Sequence, residues 1–411
     1  MQILIYSYNY HPEPIGIAPL MTELAEGLVK RGHQVRVVTA MPNYPERRIY
    51  EEYQGKWYLT EERHGVTLER CSVWIRPQPS LVDRLLLDGT FVLNSFPLAA
   101  KGGRPDVILA TVPPLPVCLP ATALAWMRRT PVVLNIQDIQ HEAAFHVGLL
   151  KNKALYRTFE ILERFACRQA QKISVIADGF TENLLNKGVP AEKIVMIPNW
   201  VNVDFIRPMP KETNPFRVTH QLTGKFVVLY SGNIALTQDL PTVIKAAAKL
   251  GHIPEIAFVI VGEEKALDRV AEYCQMYGAD NVKLLPFQPR EKLPEMLAAA
   301  DVGLVVQKEN VIAFNMPSKI PLLLASGCAI VASVPATGTA AKAVSNSGGG
   351  VVVHPENPDA LAAEIEHLYH HPEKTAALAA KGRQYAIENY AFEQALNSYE
   401  SLFASLCRAS G

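Results

Sequence analysis

Short uncharged apolar runs, separated by longer amphipathic stretches, set the pattern of this chain. The first run is Ile3 to Ser7, followed by a loop, Tyr8 to Ile17, that contains Gly16. Pro19 suits a first helical position, and Leu20, Leu24 and Leu28 fall on one helical face. Gly32 closes that helix before a second apolar run, Val35 to Thr39. Strand, amphipathic helix and strand make a right-handed βαβ opening. Further strand-like runs are Val107 to Ala110, Val132 to Ile136, Ile173 to Ile176 and Val195 to Ile197. The second half repeats the alternation with Phe226 to Tyr230, Ala257 to Val261, Val282 to Leu285, Val302 to Val306, Ala329 to Ala332 and Val351 to Val353. Leu240 to Leu250 and Ala266 to Tyr277 read as helices between them, and the chain beyond Pro372 reads as helical. Strands apolar along their whole length belong to parallel sheets covered on both faces.

The polar, proline-punctuated stretch Arg207 to Pro215 reads as a linker. It divides the 411 residues into a domain over 1–205, a second over 206–388, and a closing helix over 389–411 that packs back on the first. Val107 to Met127 is uncharged and long enough to raise the question of a membrane span. Pro113, Pro114, Pro116 and Pro120 break it into a strand, a turn and a helix. A strand beginning at Ile3 leaves no room for a signal peptide.

Hydrophobic residues at 49% and charged residues at 19% mark a core-rich globular chain. A net charge of +0 argues against nucleic acid as partner. The six cysteines are scattered and read as core thiols of a reducing compartment. No G-x-G-x-x-G, Walker or G-x-S-x-G motif occurs, and no cluster at metal-ligand spacing, so no metal is expected.

In parallel sheets, chemistry gathers beyond the carboxyl ends of strands. The loop after the first strand offers His11, Glu13 and Gly16 for a phosphate or sugar, with a surface loop and its turn glycine as the alternative. After Val132 to Ile136 come Gln137, Asp138, Ile139, Gln140, His141 and Glu142. An acid, a histidine and a second acid there suit acid–base or electrostatic work; an acid-rich helix start is the alternative. Gly232 and Asn233 follow Phe226 to Tyr230, and Phe287 follows Val282 to Leu285 as a wall for a base. In Asn315-Met316-Pro317-Ser318-Lys319, Ser318 is placed to cap a helix and Lys319 brings a full positive charge. The segment reads as a phosphate seat, with an ordinary capped helix as the alternative.

Gly16, Arg31-Gly32-His33-Gln34-Val35, Pro198-Asn199-Trp200-Val201-Asn202-Val203-Asp204, Tyr230-Ser231-Gly232-Asn233, Val261-Gly262-Glu263 and Pro317-Ser318-Lys319 occur in one order along the chain. In that order the chain resembles the retaining glycosyltransferases of family 4, and within them the colanic-acid and exopolysaccharide branch. The resemblance covers nearly the whole chain. It implies an α/β GT-B architecture, two Rossmann-like parallel-sheet domains facing across a cleft. It also implies a hexosyltransferase without metal or cofactor, taking sugar from a UDP- or GDP-linked donor to a lipid-linked or saccharide acceptor. The implied place is the cytoplasm, with peripheral attachment to the inner membrane face.

Carried over by position, Gly16 approaches the donor phosphates from the first domain. Gly232, Asn233, Ser318 and Lys319 hold the diphosphate, Phe287 faces the base, and Asp138, His141 and Glu142 lie near the reacting carbon. The chain departs from the family pattern at Gln137, where many members have histidine, and at Phe314 and Leu322, where many have glutamate. Asn233 and Gln238 also stand where many have arginine and lysine. Glu309 and Asn315 are the substitutes for sugar and ribose contacts. These departures keep open a non-catalytic nucleotide-sugar-binding subunit and a sugar-nucleotide epimerase of the same fold. A membrane-facing surface is expected where Arg84, Lys101 and Arg104 flank Leu85 to Ala100. A second is expected where Lys151, Lys153, Arg157, Arg164 and Arg168 share a helix with Leu155, Phe159 and Leu162, with an ordinary solvated helix as the alternative.

Overall fold

A computed structural model describes the chain except for residues 15, 140, 143, 144, 146–151, 236, 312–315, 410 and 411. Among the described residues the strands form two sheets. The first contains β1 (Gln2–Tyr6), β2 (Gln34–Ala40), β3 (Tyr58–Arg63), β4 (Val66–Cys71), β5 (Val107–Val112), β6 (Val132–Ile136), β7 (Lys172–Val175) and β8 (Ile194–Met196). Their order is β3-β4-β2-β1-β5-β6-β7-β8, parallel except for the β3–β4 hairpin. The second contains β9 (Phe226–Ser231), β10 (Ile256–Gly262), β11 (Val282–Pro286), β12 (Val302–Val306), β13 (Ala329–Ser333) and β14 (Gly350–Val353), in the order β11-β10-β9-β12-β13-β14, all parallel. The chain is α/β throughout.

Two compact units carry these sheets: Met1–Pro198 with Ala395–Gly411, and Asn199–Gln394. The stretch Arg207 to Pro215, read above as a linker, lies inside the second unit. Pro208 fills the space beside Gly327, where a Cβ would meet its Cγ at 2.7 Å. Lys211 donates to the carbonyls of Ala298 and Ala300. Its polarity thus serves internal hydrogen bonds.

The central strands of each sheet are buried on both faces, as their apolar sequences require. In β9, Val227 and Leu229 enter one core while Val228 and Tyr230 enter the other. In the first unit Asn135, buried mid-β6, donates to Ser174 Oγ at 2.9 Å and to Tyr399 Oη at 2.8 Å. Tyr399 belongs to the C-terminal helix Phe392–Ala409, which also holds Glu400 against Arg31 at 2.6 Å and His33 at 2.9 Å. Val107 to Met127 resolves into β5, a short 3-10 turn at Leu115–Val117, and the helix Cys118–Arg128. No described helix is long and apolar enough to cross a membrane.

One short helix bears on the site, Lys319–Ala325. Its apolar residues Ile320, Leu323 and Leu324 enter the core. It packs beside the helix Pro372–Asn389, which the backbone at Gly349, just before β14, approaches closely at Gly382. A Cβ on Gly349 would lie 2.5 Å from both Gly382 Cα and Leu324 Cδ2. Arg383 Nη1 donates to the Ala325 carbonyl at 2.6 Å, closing the helix's far end. Gly349→Ala should therefore lower the stability of the second unit by about 1–3 kcal/mol through overpacking. Urea unfolding read from chain fluorescence checks this; an unchanged midpoint contradicts it.

Candidate active site

Strand order reverses between β1 and β5 in the first sheet and between β9 and β12 in the second. Parallel α/β sheets bind ligands beyond the carboxyl ends of such strands. Both places carry polar groups that have no protein partner among the described residues.

In the second unit, Tyr230 ends β9's buried run and donates its hydroxyl to the Asn233 carbonyl at 2.7 Å. This bends the chain sharply through Gly232, whose φ is +139°. A Cβ on Gly232 would meet Lys319 Nζ at 3.3 Å, so a glycine gives the lysine its space. Lys319 Nζ lies 3.7 Å from the centre of the Tyr230 ring. It is enclosed and makes no hydrogen bond among the described residues. Burial alone pushes its pKa down to about 7. Gln307, the first residue beyond β12, also buries a side-chain amide Nε2 without a partner. A buried ammonium without a counter-ion is costly unless a ligand supplies the anion.

The first unit holds a cavity of about 440 Å³ at the ends of β1, β2, β5 and β6. Much of its wall is apolar, including Leu87, Val112, Pro113 and Phe159. Asp138 and His141 line it. Burial raises the Asp138 pKa, and its bond to the Ile139 N–H with the nearby His141 offsets part of that rise. His141 is buried against Phe159 at 6.0 Å between ring centres, with Nε2 3.6 Å from Glu163 Oε2. Burial would raise Glu163, but His141 and Lys187 outweigh it and hold the acid low. Asp88 also lines the cavity, and burial pushes it up to about 7. Arg47 and Arg84 stand on the wall, and no carboxylate pairs with them among the described residues.

The other candidates fall out as follows. Glu142 turns to Lys187 and to Asn183 Nδ2 at 2.9 Å. His141, Glu142 and Glu163 bring ligand atoms within 4.8 Å of one another, a cluster the sequence hid because Glu163 lies on a later helix. Lys187 pairs with both carboxylates of that cluster. Glu13 is spent inside its loop, accepting from the N–H groups of Asn43 and Tyr44 and from Asn9. The His11 carbonyl accepts from buried Arg70 at 2.6 Å. Gly16 is exposed with φ +70°. Ser318 precedes its helix but makes no side-chain cap, because its backbone is already helical at φ −61° and ψ −16°. Asn233 and Phe287 expose their side chains. Glu309 is exposed and donates its backbone N–H to Glu356. Asn315 lies outside the described residues.

Both expected membrane surfaces change composition. Leu155, Phe159 and Leu162 turn toward the protein because theirs is the helix's packing face, whereas Ile161 shares the exposed side with Arg157, Arg164 and Arg168. On the helix Leu81–Lys101, Phe91 and Leu98 are buried while Val82, Leu85, Leu86 and Leu93 are exposed.

Comparison with known proteins decides the family. Residues 16–200 match the Glycosyl transferase 4-like domain, and residues 212–385 match Glycosyl transferases group 1. The chain is 34% identical to the colanic acid biosynthesis glycosyl transferase WcaI of Escherichia coli K12, over 89% of this chain and 91% of that protein. The chain belongs to glycosyltransferase family 4. The fold of this glycosyltransferase is GT-B. It resembles sucrose-phosphate synthase from Thermosynechococcus elongatus (TM-score 0.73, 18% identity, 99% of each chain). It also resembles Anabaena HepE in complex with UDP and glucose (TM-score 0.71, 17% identity, 98% of this chain and 100% of that one).

The Lys319 pKa of about 7 gives the glycosyltransferase a pH signature. A bound diphosphate favours the ammonium and raises that value. Above neutrality, diphosphate binding should take up a proton, and affinity should fall with rising pH by up to about tenfold per unit. Calorimetry with UDP and GDP in buffers of different ionisation heat measures the uptake, which Lys319→Met should abolish. Binding without proton exchange across this range contradicts the assignment.

Proposed function

We propose that this glycosyltransferase moves a hexose from a UDP- or GDP-linked donor to a lipid-linked acceptor during exopolysaccharide assembly, with retention and without a metal. The observation that carries the reading is Lys319, an enclosed ammonium with no acceptor among the described residues at the β9–β12 switch point. It suits the diphosphate leaving group, where negative charge grows as the glycosidic bond breaks. The name of WcaI supports a role in exopolysaccharide synthesis, and the UDP in the HepE complex supports a nucleotide donor.

Acceptor binding falls to the first-unit cavity. Its apolar wall suits a lipid-proximal group, and the unpaired guanidiniums of Arg47 and Arg84 suit that carrier's phosphate. Asp138 and His141 serve the acceptor hydroxyl, His141 with Glu163 beside it. Metal independence fits the pairing of Lys187 with Glu142 and Glu163, which neutralises the carboxylates a divalent ion would need. Retention fits a front-face, ion-pair-like substitution on the side where the diphosphate departs. Exposed Leu85 and Leu86 beside Arg84 suit peripheral contact with the inner membrane face, so the enzyme works from the cytoplasm.

Incubation of labelled UDP- and GDP-sugars with membrane lipid extract should yield a glycolipid of unchanged anomeric configuration, insensitive to a chelator. Lys319→Ala should lower transfer by about 100-fold or more while the fold survives. Full transfer by that variant contradicts the donor seat. An inverted product or a trapped glycosyl-enzyme contradicts the front-face mechanism, and conversion of the donor without acceptor points to an epimerase.

A further inference from the structure

We infer that Asp88 reads the acceptor, its carboxylate taking hydrogen bonds from two adjacent hydroxyls of the acceptor's sugar inside the first-unit cavity. This rests on the glycosyltransferase reading and names the acceptor group recognised. Asp88 lies in the middle of the helix Leu81–Lys101 and lines the cavity with Tyr8, Leu87, Val112 and Pro113. Among the described residues, no N–H, O–H or cation bonds to its carboxylate.

The neighbouring acids differ. Asp83 is bound by Ser80 and the Trp74 indole. Glu13 takes three donors. Glu142 and Glu163 share Lys187. Asp138 takes the Ile139 N–H. Asp88 is half-buried, and a carboxyl without protein donors on this wall keeps its acceptor sites open to a ligand.

The missing partner has a definable chemistry. A carboxylate offers two oxygens and no donor, so it fits a ligand presenting paired donors. It repels a phosphate. A metal ion would need further ligands, and the adjoining wall of Leu87, Val112 and Pro113 offers none. A vicinal diol supplies two O–H donors at the spacing of one carboxylate, and charge-assisted bonds of this kind gain strength where water is excluded. A group of this type rejects analogues that lack the hydroxyl. Asp88 therefore selects the sugar, while the apolar wall and the arginines take the carrier.

The test uses the whole protein and soluble amphiphiles below their micelle concentration. The probes are octyl glucoside, octyl galactoside and octyl mannoside; the control is an octyl tetraethylene glycol ether, which has the same tail and no diol. At least one glycoside should bind the wild type more tightly than the control. Asp88→Asn and Asp88→Ala should weaken that glycoside by at least about tenfold and leave the control unchanged. Equal binding of glycosides and control, equal weakening of both, or unchanged glycoside binding in the two variants overturns the inference. UDP and GDP binding by the same preparations keeps the two readings apart. Intact nucleotide binding with no glycoside preference overturns only the role of Asp88, whereas absent nucleotide binding counts against the donor seat.

Discussion

The second unit is organised around one electrostatic debt, the ammonium of Lys319 held out of water over the face of Tyr230. An aromatic ring recovers only part of the hydration a cation loses on burial. The fold pays the remainder through packing elsewhere. Gly232 clears the space, the Tyr230 hydroxyl fixes the turn, and the Gly349–Gly382 contact lets a neighbouring helix support the seven residues of Lys319–Ala325. A residue kept in so unfavourable a state without a ligand gains most when an anion arrives.

The first unit shows the complementary arrangement. Most of its buried acids are satisfied, and their bonds shape loops: Glu13 ties the β1 loop to the β2 loop, and Lys187 draws Glu142 and Glu163 together. The cavity faces Asp88, Asp138, His141 and the guanidiniums of Arg47 and Arg84, with Asn9 and Asn43 among the apolar residues of its wall. A few polar groups on a greasy surface suit an amphiphile whose sugar must be oriented and whose lipid need only be accommodated.

The apolar strands were legible because a strand buried on both faces has no polar position to disguise it. The β3–β4 hairpin was not. β3 alternates at a sheet edge and carries Glu61, Glu62 and Arg63, while β4 buries Arg70 and Glu69 inside the sheet, so charge masks both strands. Lys319 was legible because Pro-Ser-Lys before an apolar run is a local pattern. The Ser318 cap drawn from the same pattern did not form, since capping depends on a backbone turn that composition does not specify. Asp88 and Glu163 were invisible for a different reason. Each shares a long helix with a second acid, Asp83 or Glu160, and only the fold shows which faces solvent and which faces a cavity. Gln137, in place of the family's frequent histidine, bonds back to Asn135. That leaves His141, four residues on in sequence, as an imidazole lining the cavity.

The central claim is that Lys319 seats the donor's diphosphate. A crystal structure of the full chain with UDP or GDP, whichever binds, tests it most directly. The account predicts a phosphate oxygen within hydrogen-bond distance of Lys319 Nζ, with the ammonium drawn away from the Tyr230 ring. A diphosphate bound elsewhere, with Lys319 still enclosed over that ring, would contradict it.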